Sequence, residues 1–211
     1  MKKIVLTLAI AGLALTAMAQ GHSAASNRSS QAEELRTNMR KLWEDHVTWT
    51  RNVILCIMDD LPGAEQATAR LLKNQDDIGN AIKPIYGDDA GRQLTTLLRT
   101  HITQAADLLK AAKHDDNAAF DKINKQWEAN ADEISAFLSK ANPNWKLEDM
   151  KKMMRDHLTL TTEEAVARKK KDYAGDVRAY DKVHDEILEM SDMISEGIIK
   201  QFPNRFAMAK K

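Results

Sequence analysis

MRKLWEDHVTWT at residues 39–50 recurs twice without gaps, as LTTLLRTHITQA at 94–105 and MKKMMRDHLTLT at 150–161. The three segments align on His46, His101 and His157, which are 55 and then 56 residues apart. Seven residues before each histidine stands Met39, Leu94 or Met150, and four before it Leu42, Leu97 or Met153. After it come Val47, Ile102 or Leu158 and then a threonine, Thr48, Thr103 or Thr159. Apolar residues at these spacings fall on one face of an α-helix, with the histidine at the middle of the stripe.

A second element follows each histidine: DDIGNAI from Asp76, DEISAFL from Asp132 and SDMISEGI around Asp192. Lys140 and Lys200 each lie eight residues beyond their aspartate, and Pro143-Asn144 matches Pro203-Asn204, with Pro84 expected to close the first copy. A period of about 55–60 residues is the size of a long helical hairpin. The sequence therefore predicts an all-α fold of six helices in three tandem hairpins, arranged as a bundle or a short solenoid. Ser30 with Glu33 reads as a capping box. Breaks at Leu61-Pro62-Gly63, Tyr86-Gly87-Asp88, His114-Asp115-Asp116, Asn142-Pro143-Asn144 and Ala174-Gly175-Asp176 place helices near 31–60, 64–83, 89–113, 116–140, 146–171 and 176–201. No stretch alternates at period two for long enough to be a strand.

The flanks read differently. Residues 1–19, MKKIVLTLAIAGLALTAMA, have the form of a signal peptide: Lys2 and Lys3, an apolar run from Ile4 to Leu15, and the cleavage motif Ala17-Met18-Ala19. The expected destination is periplasmic or secreted. Residues 20–30, QGHSAASNRSS, read as a flexible leader, residues 31–203 as a single helical domain, and 204–211 as a C-terminal tail.

Composition excludes several classes. The 211 residues are 43% hydrophobic, which suits a folded core and not disorder. Lys and Arg number 31 and Asp and Glu 31, so nothing favours nucleic acid as a partner. Losing Lys2 and Lys3 leaves 29 basic against 31 acidic residues, and no membrane span is expected after cleavage. One cysteine, Cys56, excludes an internal disulfide, a cysteine zinc module and c-type haem. It stands among Ile54, Leu55 and Ile57 and reads as a small core residue. Phosphate-binding glycine loops, the nucleophile elbow and H-E-x-x-H are all missing. Only Asp181-x-x-His184 approaches a di-iron motif, with Asp in place of Glu. No catalytic residue can be named.

What remains is the histidine set. His184, beside Tyr180, Ile187 and Leu188, reads as a fourth core-facing histidine, while His22 and His114 fall in the leader and a turn. An axial offset of roughly 10 Å keeps His184 away from the other three. If the first helices of the hairpins converge, His46, His101 and His157 form a three-nitrogen site for a transition metal ion or a small ligand. If the hairpins stack as a solenoid, they form a row about 8–10 Å apart and serve as buried hydrogen-bond partners. Asn130 falls level with His101 to within one helical turn and Asn74 roughly 6 Å from His46 along the axis; both rank ahead of Asp76, Asp132 and Asp192, which read as solvated surface. Met150, Met153 and Met154 share the face of His157; core filling outweighs a thioether–imidazole Cu(I) set. The run Arg168-Lys169-Lys170-Lys171 suits a helix C-terminus.

LWEDHVTWTR at 42–51, WEANADEISAFL at 127–138, RDHLTLTTEEAVAR at 155–168 and EGIIKQFP at 196–203 resemble segments of a bacterial family of exported, helical-repeat proteins that carries inconsistent enzyme names. The resemblance spans most of residues 42–203 and implies no activity or ligand. Two functions follow from the residues themselves. One is an exported, non-catalytic protein that binds a small ligand or metal at His46, His101, His157, Asn74 and Asn130. The other is a helical module that binds a protein partner on its exterior.

Overall fold

The computed structural model describes residues 11–206, with side chains from residue 31 onward. Residues 1–10 of the expected signal peptide and 207–211 of the expected tail lie outside the described residues. Among the described residues there are seven helices and no strand: α1 (Ala11–Met58), α2 (Ala64–Tyr86), α3 (Asp88–Lys113), α4 (Asn117–Ala141), α5 (Leu147–Lys169), α6 (Tyr173–Gln201) and the single turn α7 (Pro203–Phe206). The backbone of α1 runs on through residues 11–30, so the Ser30–Glu33 pair lies within the helix and does not open it.

Most helix ends follow from local chemistry. Gly87, at φ 89°, stops α2, because that backbone conformation carries little penalty only without a side chain. Pro84 does not close α2 as expected: it sits inside the last turn, and the helix continues to Tyr86. Asp116 accepts a hydrogen bond from the Ala119 amide at 3.0 Å and caps α4. Asp172 does the same for α6 from the Gly175 amide at 2.8 Å, which starts the helix at Tyr173, before the expected Ala174-Gly175-Asp176 break.

The helices form a bundle in which each of α1 to α6 packs on the next in sequence. Helix α6 closes back on α1, and α1 also touches α3 and α5. An open solenoid would leave α1 and α6 apart, so the bundle form of the expectation is the one observed. The core runs through Met39, Trp43, Val47, Leu94, Leu98, Met150, Met154, Leu158, Ile187, Met190, Ile194 and Ile198. Helices α2 and α3 approach most closely at Gly79 and Gly91, where a methyl group on Gly79 would fall 1.9 Å from Thr95 Oγ1.

One end of the bundle is tied by side chains. Asp60, Asp115 and Lys171 follow α1, α3 and α5 with φ of 55°, 55° and 60°. Lys113 Nζ donates to the Ile57 carbonyl at 2.7 Å and pairs with Asp60. Lys169 reaches the Ala112 carbonyl and Asp115 in the same manner. Arg168 binds Asp59, joining α5 back to α1. Two residues of the basic run thus strap turns of the bundle.

Candidate functional site: a buried histidine layer

Helices α1, α3 and α5 carry His46, His101 and His157 into the core, where each is 4–5% exposed. All three line one cavity of about 30 Å³, otherwise walled chiefly by apolar side chains including Met39, Trp43, Leu98, Met154 and Met190. The His46 and His157 rings lie 5.8 Å apart centre to centre. His101 instead stacks on Trp127 at 5.2 Å.

Each imidazole is fixed through Nδ1 by a residue 29 positions later on the following helix. For His101 that partner is Asn130, whose Oδ1 accepts at 2.9 Å, as the heights along the hairpin predict. For His46 it is Gln75 at 3.2 Å, not Asn74. Asn74 supports it from one step away, accepting from Gln75 Nε2 at 3.0 Å and donating to the Leu42 carbonyl at 2.9 Å. For His157 the partner is Glu186, whose Oε2 lies 2.8 Å from Nδ1. Asn130 also donates to the Leu97 carbonyl at 3.2 Å, matching the bond from Asn74 to the Leu42 carbonyl between α2 and α1.

Gln75 Nε2 carries two hydrogens and faces three acceptors, the Leu71 carbonyl at 2.8 Å, Asn74 Oδ1 at 3.0 Å and His46 Nδ1 at 3.2 Å, so it does not by itself set the tautomer of His46. The Asn130 amide nitrogen faces the Leu97 carbonyl, so its oxygen faces His101, which donates from Nδ1 and keeps a lone pair on Nε2. That His101 Nε2 is buried without a partner.

Burial keeps His46 and His101 neutral. Their pKa values are pushed down to about 3, first by loss of solvation and then by neighbouring imidazoles: His157 and His101 around His46, and His157 around His101. Among the described residues, no group of three His, Cys, Asp or Glu side chains is spaced to hold a metal ion. A three-histidine metal site needs three lone pairs aimed at one point.

The other expected residues lie elsewhere. His184 is not in the core; it is partly exposed and pairs with Glu44 at 3.2 Å across α6 and α1. Asp76, Asp132 and Asp192 sit on the half-exposed surface as expected, paired with Arg99, with Lys151 and Arg155, and with Arg40. Met150, Met153 and Met154 are all buried in the core. Cys56 is partly buried beside a small cluster around Val53, Ile57 and Leu71.

Two groups escape a motif search. Glu186 would have been found by carrying the 29-residue His101–Asn130 spacing on to His157. Further along the axis, Arg51 Nη1 meets Glu164 at 2.6 Å and Asp176 at 2.9 Å, and Arg168 adds a bond to Asp176 at 3.2 Å. Both carboxylates are about 1% exposed. Glu164 is pushed up to about 7 by burial, against the pull of Arg51. Its signal in sequence is a charge on the apolar stripe, seven residues after His157.

Comparison of the chain with protein-family models, with curated proteins and with solved structures finds no match. Among the described residues, no helix is long and apolar enough to cross a membrane.

Proposed function

We propose that this is an exported, non-catalytic binding protein that takes a small ligand into its interior at His46, His101 and His157. Its scaffold is three tandem hairpins closed into a ring. Supporting the repeat are the common 29-residue spacing from histidine to partner and the matched straps of Lys113 and Lys169. The three left-handed turn residues support it too, each 14 residues after its histidine.

The observation that carries the binding reading is His101 Nε2, a buried lone pair with no partner. An imidazole kept only as a core hydrogen-bond partner gains nothing from a buried free nitrogen, since an unsatisfied group costs about 1–3 kcal/mol. Three imidazoles oriented from behind, as in ligand sites whose outer partners fix the ring, fit a role for their outer nitrogens. The free acceptor nitrogen of His101 complements a small ligand that carries a hydrogen-bond donor. Gln75 and Asn130 hold two of the rings from behind, with Asn74 bracing Gln75.

The test is His101→Gln with thermal melts of the purified mature protein. Wild type is expected to gain no stability from zinc, copper, nickel or iron at neutral pH, and to be stabilised by a small primary amine such as methylamine at a pH where free base is present. The variant is expected to lose that gain. Stabilisation by a metal that His101→Gln abolishes would replace the small ligand with an ion. No response to any of them would leave the second reading, a helical interaction module with internal histidines, which the apolar walls of the cavity favour.

A further inference from the structure

The turn from α5 into α6, at the tied end of the bundle, runs from Arg168 to Arg178 as RKKKDYAGDVR. Its first two cations are engaged within the fold, Arg168 on Asp59 and Asp176, and Lys169 on Asp115 and the Ala112 carbonyl. Its two acids are engaged as well: Asp172 caps α6, and Asp176 is buried against Arg51. Lys170, Lys171 and Arg178 remain. All three are exposed, and none of them pairs with a carboxylate of the described residues.

Apolar surface lies between these cations. Tyr173 and Val177 are 54% and 52% exposed, the highest values of any large hydrophobic side chain among the described residues. Four residues apart, they stand one turn above the other on the same face of α6, beside the exposed Ala174. The tyrosine is held from beneath. The Arg168 guanidinium, itself fixed by Asp59 and Asp176, lies 4.9 Å from the centre of its ring. Asp181, one turn beyond Val177, bounds the stripe.

Helix electrostatics account for part of this pattern. Lys170 and Lys171 complement the C-terminal dipole of α5. Arg178 stands in the second turn of α6, where the dipole of that helix does not call for a cation, and the core has no use for Tyr173 or Val177. Outward cations around an aromatic and an aliphatic side chain suit an anionic bilayer. Headgroup phosphates neutralise the cations, while the tyrosine ring rests at headgroup depth with its hydroxyl in water. A turn at the end of a bundle can touch such a flat surface without any helix entering it.

We propose that the α5–α6 turn is a docking surface for an anionic phospholipid bilayer, with Lys170, Lys171 and Arg178 on the phosphates and Tyr173 and Val177 at headgroup level. The contact is peripheral, and it stands or falls without the histidine layer.

The mature protein is sedimented with vesicles of equal parts phosphatidylglycerol and phosphatidylcholine, and separately with vesicles of phosphatidylcholine alone. Binding is expected only to the first, and is expected to vanish in concentrated salt, where screening acts within about 3 Å. A cation near an anionic surface changes partition about fivefold, so replacing Lys170 and Lys171 together by Gln should weaken binding about 25-fold. Tyr173→Ala should weaken it about three- to tenfold. Melts establish that the variants fold; should Tyr173→Ala fail to fold, Val177→Ser takes its place with the same direction of change. Equal sedimentation with neutral vesicles would overturn the proposal, as would none with anionic vesicles or an unchanged partition in the double lysine variant. Binding that needs the lysines but ignores Tyr173→Ala would overturn it too, and would assign the cations to an acidic protein partner.

Discussion

His157 Nδ1 lies 2.8 Å from Glu186 Oε2, and the other oxygen of that partly buried carboxyl group is itself buried without a partner. Beside His46 and His101 the same place is filled by neutral amides, Gln75 on α2 and Asn130 on α4. The histidine layer therefore has a carboxyl group on one side where its other two members meet amides.

Glu186→Ala removes a charge-assisted bond to a buried ring, whose net contribution is about 1.5–3 kcal/mol. Glu186→Gln keeps an acceptor oxygen within reach and is expected to lose less than half of that. Urea denaturation of both variants at neutral pH measures the difference. An alanine variant as stable as the parent would mean that His157 is held by packing alone.

The pH dependence of stability has a calculable sign. His46 and His101 bind protons near 6.5 when unfolded but only near 3 when folded. Below 6.5 the unfolded chain therefore holds more protons, and stability falls as pH drops, by about 1 kcal/mol per unit for each histidine. Glu164 acts in the opposite direction. Its folded value near 7 lies above the unfolded 4.5, so its contribution is present at low pH and lost as pH rises between the two. The sum places maximal stability near neutrality. In Glu164→Gln the slope between pH 4.5 and 6.5 is expected to steepen to roughly twice that of wild type. Melting temperatures across pH 4–8 would record it, and an unchanged slope would show that Glu164 titrates normally.

Arg51 is the cation between Glu164 and Asp176, and its guanidinium also lies 4.8 Å above the Tyr180 ring. Arg51→Met leaves two carboxylates in the core with only Arg168 on Asp176. Removing one partner of a buried ionic cluster costs about 3–5 kcal/mol. The penalty should be larger at pH 8 than at pH 5, because Glu164 can escape it by taking a proton. Denaturant unfolding at the two pH values measures this, and equal losses would argue that solvent reaches the cluster.

The helices and the depth of His46, His101 and His157 were legible from periodicity because each stripe sits on a long, well-punctuated helix. Asn130 was legible because His101 and Asn130 lie at nearly the same height in their hairpin. The same measure put His46 and Asn74 roughly 6 Å apart, and the structure resolves that offset by moving the contact one residue on, to Gln75. Height along an axis does not fix rotation about it, which is what decides between neighbours such as Asn74 and Gln75. The Arg51–Glu164–Asp176 cluster joins residues more than a hundred positions apart, through the closure of α6 and α5 on α1. No local pattern encodes that closure. Pro84 misled for a different reason: near a helix C-terminus its effect is small enough for Gly87, three residues later, to set the end.

Because α6 returns to α1, no helix of the ring is a free end piece. Linear helical arrays can lengthen or shorten by whole units, since a new unit needs only one neighbour and a cap. A ring of this size has no such freedom. A further helix pair would have to part α6 from α1, and a chain cut after α4 would bare the faces of both α1 and α4. The closure therefore leaves no place for insertion, and the bundle should unfold as one cooperative unit, where an open array of the same helices could fray from its ends.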